Sequence, residues 1–191
     1  MKIGTKSLLF GVHQFLWHPF TVYLAWITLY KRLPTIKEAV CILIHDIGYW
    51  GRKNMDGEEG QRHPARAANW AYKHLDHKQM IKMKWWGFCF YHSRYLAKRD
   101  GTEPSPLCWA DKLSICFEPW WFYLLRARLS GEIREYREEN VQCGFCPAED
   151  TDKEWFFKVR AFMREQAINQ KSSTIYMHTQ PAHTGQEGAE K

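Results

Sequence analysis

His45 and Asp46 stand side by side, directly after the apolar run from Ala39 to Ile44 and just before Gly48. An apolar helix has no use for two adjacent polar ligands at its end unless something binds them, because burying them unpaired is costly. Residues of metal-ligating type lie on either side of the pair: His18 before it, and His63, His92 and Asp111 after it. Imidazole and carboxylate together suit zinc, iron, manganese or cobalt. One ion takes three or four such donors, and a two-ion site takes more. His18 and His63 each precede a proline, Pro19 and Pro64, placed to open a helix. His92 follows the aromatic run Phe88-Cys89-Phe90-Tyr91. Asp111 follows Leu107-Cys108-Trp109-Ala110, where a lone carboxylate would be costly to bury.

Other candidates compete with this set. His13 is an alternative to His18 as the first ligand, and Pro19 and Val22 favour His18. His74 and His77 share one helical face, but Lys73, Asp76 and Lys78 around them mark a solvated face. Cys143-Gly-Phe-Cys146 has zinc or redox spacing, yet a single such pair reads better as a loop turn with two reduced thiols. The pairs Trp85-Trp86 and Trp120-Trp121 could stack on bases, but at helical positions they read as core.

The elements that must position these residues are helical. Residues 7 to 17 form a first helix or turn, and Pro19 opens a second that ends near Lys31-Arg32. Thr35 is the N-cap of a third, which runs to Asp46 with Gly48 as its stop. Residues 49 to 62, with Gly51, Gly57 and Gly60 among charged side chains, form a loop. Pro64 opens another helix, and about Lys78 to Leu96 is expected as one more, with His92 inside it. Residues 107 to 129 continue the pattern with an interruption at Pro119, and 132 to 140 read as a polar, solvated segment. A last amphipathic helix spans about Asp152 to Ile168. No stretch alternates as a strand would. The expected fold class is all-α, with one helical bundle over residues 1 to 168 and a disordered tail over 169 to 191 that is poor in apolar residues.

An aromatic content of 16% favours a core or pocket built from large rings, and the net charge of +6 favours anionic partners. Residues 8 to 30 are long enough to span a membrane, but His13, Gln14, His18 and Pro19 make a buried helix pair the better reading. With no secretory signal evident, the six cysteines are expected to be reduced and the protein cytoplasmic, without a membrane partner.

The order His18, His45-Asp46, His63, His92, Asp111 resembles the HD-domain superfamily of metal-dependent phosphohydrolases. His18-Pro-Phe-Thr-Val22 resembles its first-histidine helix, Ile44-His45-Asp46-Ile47-Gly48 its signature, and Cys108-Trp109-Ala110-Asp111-Lys112-Leu113 its closing segment. His63 and His92 resemble the extra histidines of the two-metal branch. The resemblance covers about residues 12 to 125. It implies a metal site between helices, held by His18, His45, Asp46, His63, His92 and Asp111, with Asp46 bridging two divalent ions (Fe, Mn, Zn or Co). If His63 and His92 only line the pocket, one ion remains.

The expected activity is then hydrolysis of a nucleotide or small phosphoester. Water shared by two cations would lose a proton and attack phosphorus. Arg52, Lys53, Arg94 and Lys112 would bind substrate and neutralise phosphoryl charge, and Glu58 or Glu59, with Glu59 taken as the candidate, would protonate the leaving group. The same ligand order resembles HD-type di-iron oxygenases, which makes oxygen chemistry the alternative. A non-catalytic module binding nucleic acid is the less favoured third reading.

Overall fold

A capping box starts the helix that leads to the His-Asp pair. Thr35 accepts from the Glu38 backbone N–H, and the Glu38 carboxylate reaches back to the Thr35 N–H at 2.7 Å. Caps of this kind are worth about 1 kcal/mol each. The helix it opens, α3 (Ile36–Ile44), is preceded by α1 (Ile3–Phe10) and α2 (Trp17–Tyr30). A short 3₁₀ turn (Ile47–Tyr49), α4 (Glu58–Gln61) and α5 (Pro64–Ala71) follow, the last running into a π turn at Tyr72–Asp76. Then come α6 (Lys84–Phe90), α7 (Arg94–Arg99), α8 (Pro106–Ser114), a 3₁₀ turn (Ile115–Phe117), α9 (Trp120–Ser130), α10 (Glu132–Gln142) and α11 (Asp152–Asn169). This is a computed structural model, and it describes residues 1–76 and 83–170. Among the described residues there is no strand, and the chain is all-α with one domain.

Among the described residues, two larger apolar cores accompany a small one of Leu8, Tyr49 and Met55. In the first, Val22 and Trp26 of α2 pack with Ile42 of α3, Ala67 and Ala68 of α5, Phe88 of α6 and Leu107 of α8. Alanines facing large rings let α5 approach α6 closely, and α2 packs on α8 in the same way. In the second, Tyr123 and Leu124 of α9 meet Trp155, Phe156 and Val159 of α11. Helix α8 packs against both α2 and α11 and so joins the two cores.

Several elements differ from the sequence expectation. The first helix spans Ile3–Phe10, not 7 to 17, and residues 11 to 16 turn the chain. Helix α2 begins at Trp17, two residues before Pro19, whose missing N–H still falls in the first turn where none is needed. The helix expected over Lys78 to Leu96 is two: it stops at Phe90 and restarts at Arg94, because Ser93 caps α7 by accepting from the Leu96 N–H. His92 therefore lies in a turn, not inside a helix. The start of that expected helix (78 to 82), His77, and the tail beyond Gln170 lie outside the described residues. The segment 132 to 140 is not simply solvated, since Glu132 is 0% exposed and Asn140 is buried. Trp85 is core as expected, whereas Trp120 and Trp121 are exposed. His74 is exposed and packs on Trp70, as a solvated face implies.

Among the described residues, no helix is long and apolar enough to cross a membrane. All six cysteines are free thiols.

Candidate metal centre

Helix ends deliver the ligands. His18 is the second residue of α2, His45 is the C-cap of α3, and His63 is the N-cap of α5. His92 occupies the turn between α6 and α7, and Asp111 alone sits within a helix, α8. Chain reversals at helix ends let five side chains from distant segments point inward at one place. Gly48 makes this possible for His63: a Cβ at Gly48 would lie 1.8 Å from the His63 carbonyl oxygen, so only glycine permits the approach.

All six residues converge. Asp46 Oδ2 lies 3.2 Å from His18 Nε2 and 3.1 Å from His45 Nε2. Asp46 Oδ1 faces the other way, 3.4 Å from His63 Nε2 and 3.5 Å from His92 Nε2. Asp111 Oδ1 stands 3.1 Å from His18 Nε2 and 3.8 Å from His45 Nε2. Metal–nitrogen bonds of about 2.0–2.1 Å set ligand atoms about 3 Å apart, which is the spacing here.

Despite these short distances, His18 Nε2, His45 Nε2 and Asp46 Oδ2 make no hydrogen bond and are sealed from solvent. Buried polar atoms are almost always satisfied. Three unsatisfied donor-type atoms aimed at one point fit a cation. Three overlapping groups of side chains could hold one: His13, His18, Asp46; His18, His45, Asp111; and His45, Asp46, His92.

The histidines are oriented for the task. His45 Nδ1 lies 2.8 Å from the Ile42 carbonyl and His63 Nδ1 2.7 Å from that of Gly60, while His92 Nδ1 meets the carbonyl of Cys89. A carbonyl only accepts, so each Nδ1 carries a proton and each Nε2 is turned toward the centre, where those of His63 and His92 stand 3.0 Å apart. Burial and neighbouring His92 hold the His63 imidazole well below its usual range, which keeps it neutral. Burial would raise the Asp46 carboxyl, but the neighbouring His45, His13 and His18 hold it well below the usual range. At Asp111, burial is likewise outweighed, by Lys112 and by His18 and His45. The carboxylates are therefore ionised and the centre attracts cations.

His13 and His18 both reach the cluster. His18 touches both aspartates, while His13 Nε2 is 4.0 Å from Asp46 Oδ2 at the edge, with its side chain 18% exposed. His18 is therefore the better-placed ligand. His13 is held from behind by Glu132, whose Oε1 is 3.1 Å from His13 Nδ1. That carboxylate also accepts from Ser7 Oγ, the Val12 N–H, Tyr136 Oη and Ser130 Oγ. Burial pushes the Glu132 carboxyl up, but the His13, Ser130 and Ser7 hydrogen bonds and the His13 charge bring it below its ordinary range. Arg126 adds a second brace by donating to the Gly11 and Val12 carbonyls and to Glu118. Sequence reasoning missed Glu132, because its partners Ser7, Val12 and His13 lie more than a hundred residues away. Tyr49 was missed as well; it stacks on His63 with ring centroids 3.9 Å apart.

Three cavities open on the cluster. A polar one of about 60 Å³ is lined by Asp46, His63, His92, Arg94, Asp111 and Lys112. A mixed one of about 140 Å³ runs from His18 and Asp111 past Tyr123, Asn140 and Trp155. An apolar one of about 520 Å³ lies on the side of α1 and α3. Arg94 is only 6% exposed, and its guanidinium has no hydrogen-bond or ion-pair partner among the described residues. Lys112 pairs with Asp111 at 2.9 Å.

The other charged candidates lie elsewhere. Glu59 pairs with Lys53 at 3.2 Å on the surface, Glu58 pairs with Arg62, and Arg52 donates to the Gly48 carbonyl. None of these lines the three cavities. From loop 49 to 62 it is Tyr49, Asp56 and Gln61 that reach the polar cavity, and from 95 to 106 it is Tyr95. Cys146 belongs to the second apolar core, and Cys143 Sγ donates to the Asn140 carbonyl, so the pair forms a turn. Comparison with family sequence models, with curated proteins and with solved structures finds no match, so the chemistry of this chain is read from its own residues.

Proposed function

We propose that this chain is a metal-dependent phosphohydrolase of HD type, acting on a small phosphoester or nucleotide. The observation that carries the reading is the buried, unsatisfied donor cluster with the unpaired Arg94 cation on its rim. His18, His45, Asp46 and Asp111 would hold one ion, and His63 and His92 with the far oxygen of Asp46 a second. Divalent ions bound there supply Lewis-acid activation of water and of the phosphoryl group.

The remaining work falls to the protein. Arg94 binds two non-bridging oxygens as a planar fork, and recovers in the complex the partners it lacks without substrate. Lys112 adds charge beside it and keeps Asp111 ionised. His13, held at Nδ1 by Glu132, presents Nε2 to the mouth of the centre, where it can hydrogen-bond the ester oxygen. An anion-binding rim is what phosphoryl transfer asks for and what oxygen cleavage of a neutral polyol would not need.

The test is metal analysis of the purified protein coupled to a phosphoester and nucleotide screen. Release of phosphate or a nucleoside with manganese, cobalt, zinc or iron, without oxygen uptake, is expected. Asp46→Ala should lose turnover by at least about a thousandfold while keeping its helical circular dichroism. Full activity in that variant would overturn the reading, and metal-dependent oxygen consumption without phosphate release would replace it.

A further inference from the structure

The largest cavity beside the centre is almost wholly apolar. Nine of its twelve lining residues are apolar, among them Leu9, Phe15, Leu16, Leu43, Ile47 and Trp50. The three polar ones are His13, His18 and Asp46, which belong to the metal cluster. The groove therefore has no charged wall except the centre itself. Its rim is exposed to a degree unusual for large apolar side chains, with Leu16 at 62%, Leu43 at 55%, Trp50 at 52% and Phe15 at 51%. Exposed apolar surface of this extent, left uncovered, marks a binding surface.

What covers it follows from where it ends. His13 and Asp46 line both the apolar groove and the polar cavity that holds Arg94 and Lys112. An occupant of the groove thus touches the centre on one side, while an anion on the same molecule meets Arg94 on the other. A base and sugar would bring polar atoms that the groove cannot satisfy. We infer that the groove seats the hydrocarbon part of the substrate, so that the substrate class is an amphiphilic phosphoester: a phosphate monoester of an apolar alcohol. This deepens the phosphohydrolase reading and rests on it. The reaction adds water across the P–O ester bond. The water oxygen ends on phosphorus, the alcohol leaves with one proton, and no oxidant or reductant takes part.

The experiment uses methyl, butyl, hexyl and octyl phosphate with the manganese-loaded protein, below micelle formation. Each methylene buried in the groove is expected to raise kcat/KM about two- to fourfold, so octyl phosphate exceeds butyl phosphate at least about tenfold. Leu16→Asp and Leu43→Glu alter side chains that are more than half exposed. These variants should keep the rate on methyl phosphate and flatten the dependence on chain length. Equal kcat/KM across the series, or an undiminished slope in both variants, overturns the inference while leaving the hydrolase reading intact.

Hydrolysis of none of the esters, nor of nitrophenyl phosphate, sinks the hydrolase reading instead. Calorimetry with octylphosphonate and methylphosphonate then decides the groove separately. Binding of the octyl compound at least about tenfold tighter, lost in Leu43→Glu, supports an amphiphile site, and equal binding overturns it. If the wild type is a dimer that Leu16→Asp dissociates, with no slope to lose, the groove is a contact between copies and the inference fails.

Discussion

Arg94 is the side chain whose placement makes least sense without a ligand. A guanidinium is strongly favoured in water, and here the residue is only 6% exposed, with no protein group accepting its protons among the described residues. Its presence therefore costs stability and must be offset elsewhere, as is common at functional sites. That argument predicts opposite signs for two measurements on Arg94→Gln. The melting temperature should stay level or rise, since a buried unpaired charge is gone. The value of kcat/KM for a phosphoester should fall about ten- to a hundredfold, the worth of a charge-assisted hydrogen bond, with metal content unchanged. A melting temperature several degrees lower would show a structural role instead. The neighbouring Lys112 differs, because it is already neutralised by Asp111 and its loss would also disturb a ligand.

At the scale of elements, the site is a product of how helices end. The break at Tyr91 to Ser93 brings His92 out of a helical path, and the turn after α3 sets Asp46 with one oxygen toward each group of histidines. Gly48 shows how little tolerance this leaves. A methyl group there would overlap the backbone of His63, which cannot rotate away as a side chain could. Gly48→Ala is expected to destabilise the fold by about 1–3 kcal/mol through overpacking and to displace His63. Metal titration by calorimetry should then show weakening of the step that involves His63 and His92, with the other site less affected. Unchanged stoichiometry and affinity would mean that the backbone absorbs the methyl group without moving the ligand.

At the scale of the whole molecule, the centre joins helices α2, α3, α5 and α8 with the α6–α7 turn, so binding there should act as a cross-link on the fold. The six ligands come from five separate segments, and in the unfolded chain no site exists. A ligand that binds only the native state stabilises it by about 2.7 kcal/mol at a hundred times its dissociation constant. For a chain of this size that raises the melting temperature by about 5–10 °C. Scanning calorimetry with and without manganese or zinc, followed by a chelator, should show the rise and its reversal. Asp46→Ala should show little of either. Identical melting curves with and without metal would argue that the cluster binds none.

The local signals were strong where local physics decides. Thr35, Pro64, Lys31-Arg32 and Asp152 bracket helices as expected, because caps and prolines act within one turn. The residue types of the donor set were also legible, since histidine and aspartate beside apolar runs are costly without a partner. Ser93 was a readable cap that the aromatic run around it masked. Tertiary structure alone decided the rest. It turned Glu132, in a stretch that reads as solvated, into the fixed partner of a histidine 119 residues earlier. It left Arg94 without a counter-charge among the described residues, while Arg52, Lys53 and Glu59, equally near in sequence, were turned away from the three cavities. It also assembled an apolar groove from α1, the turn before α2 and the end of α3. Caps and ligand types depend on a residue and its near neighbours, so sequence determines them. Which charge is paired, and which apolar face is left open, depends on what packs from far along the chain.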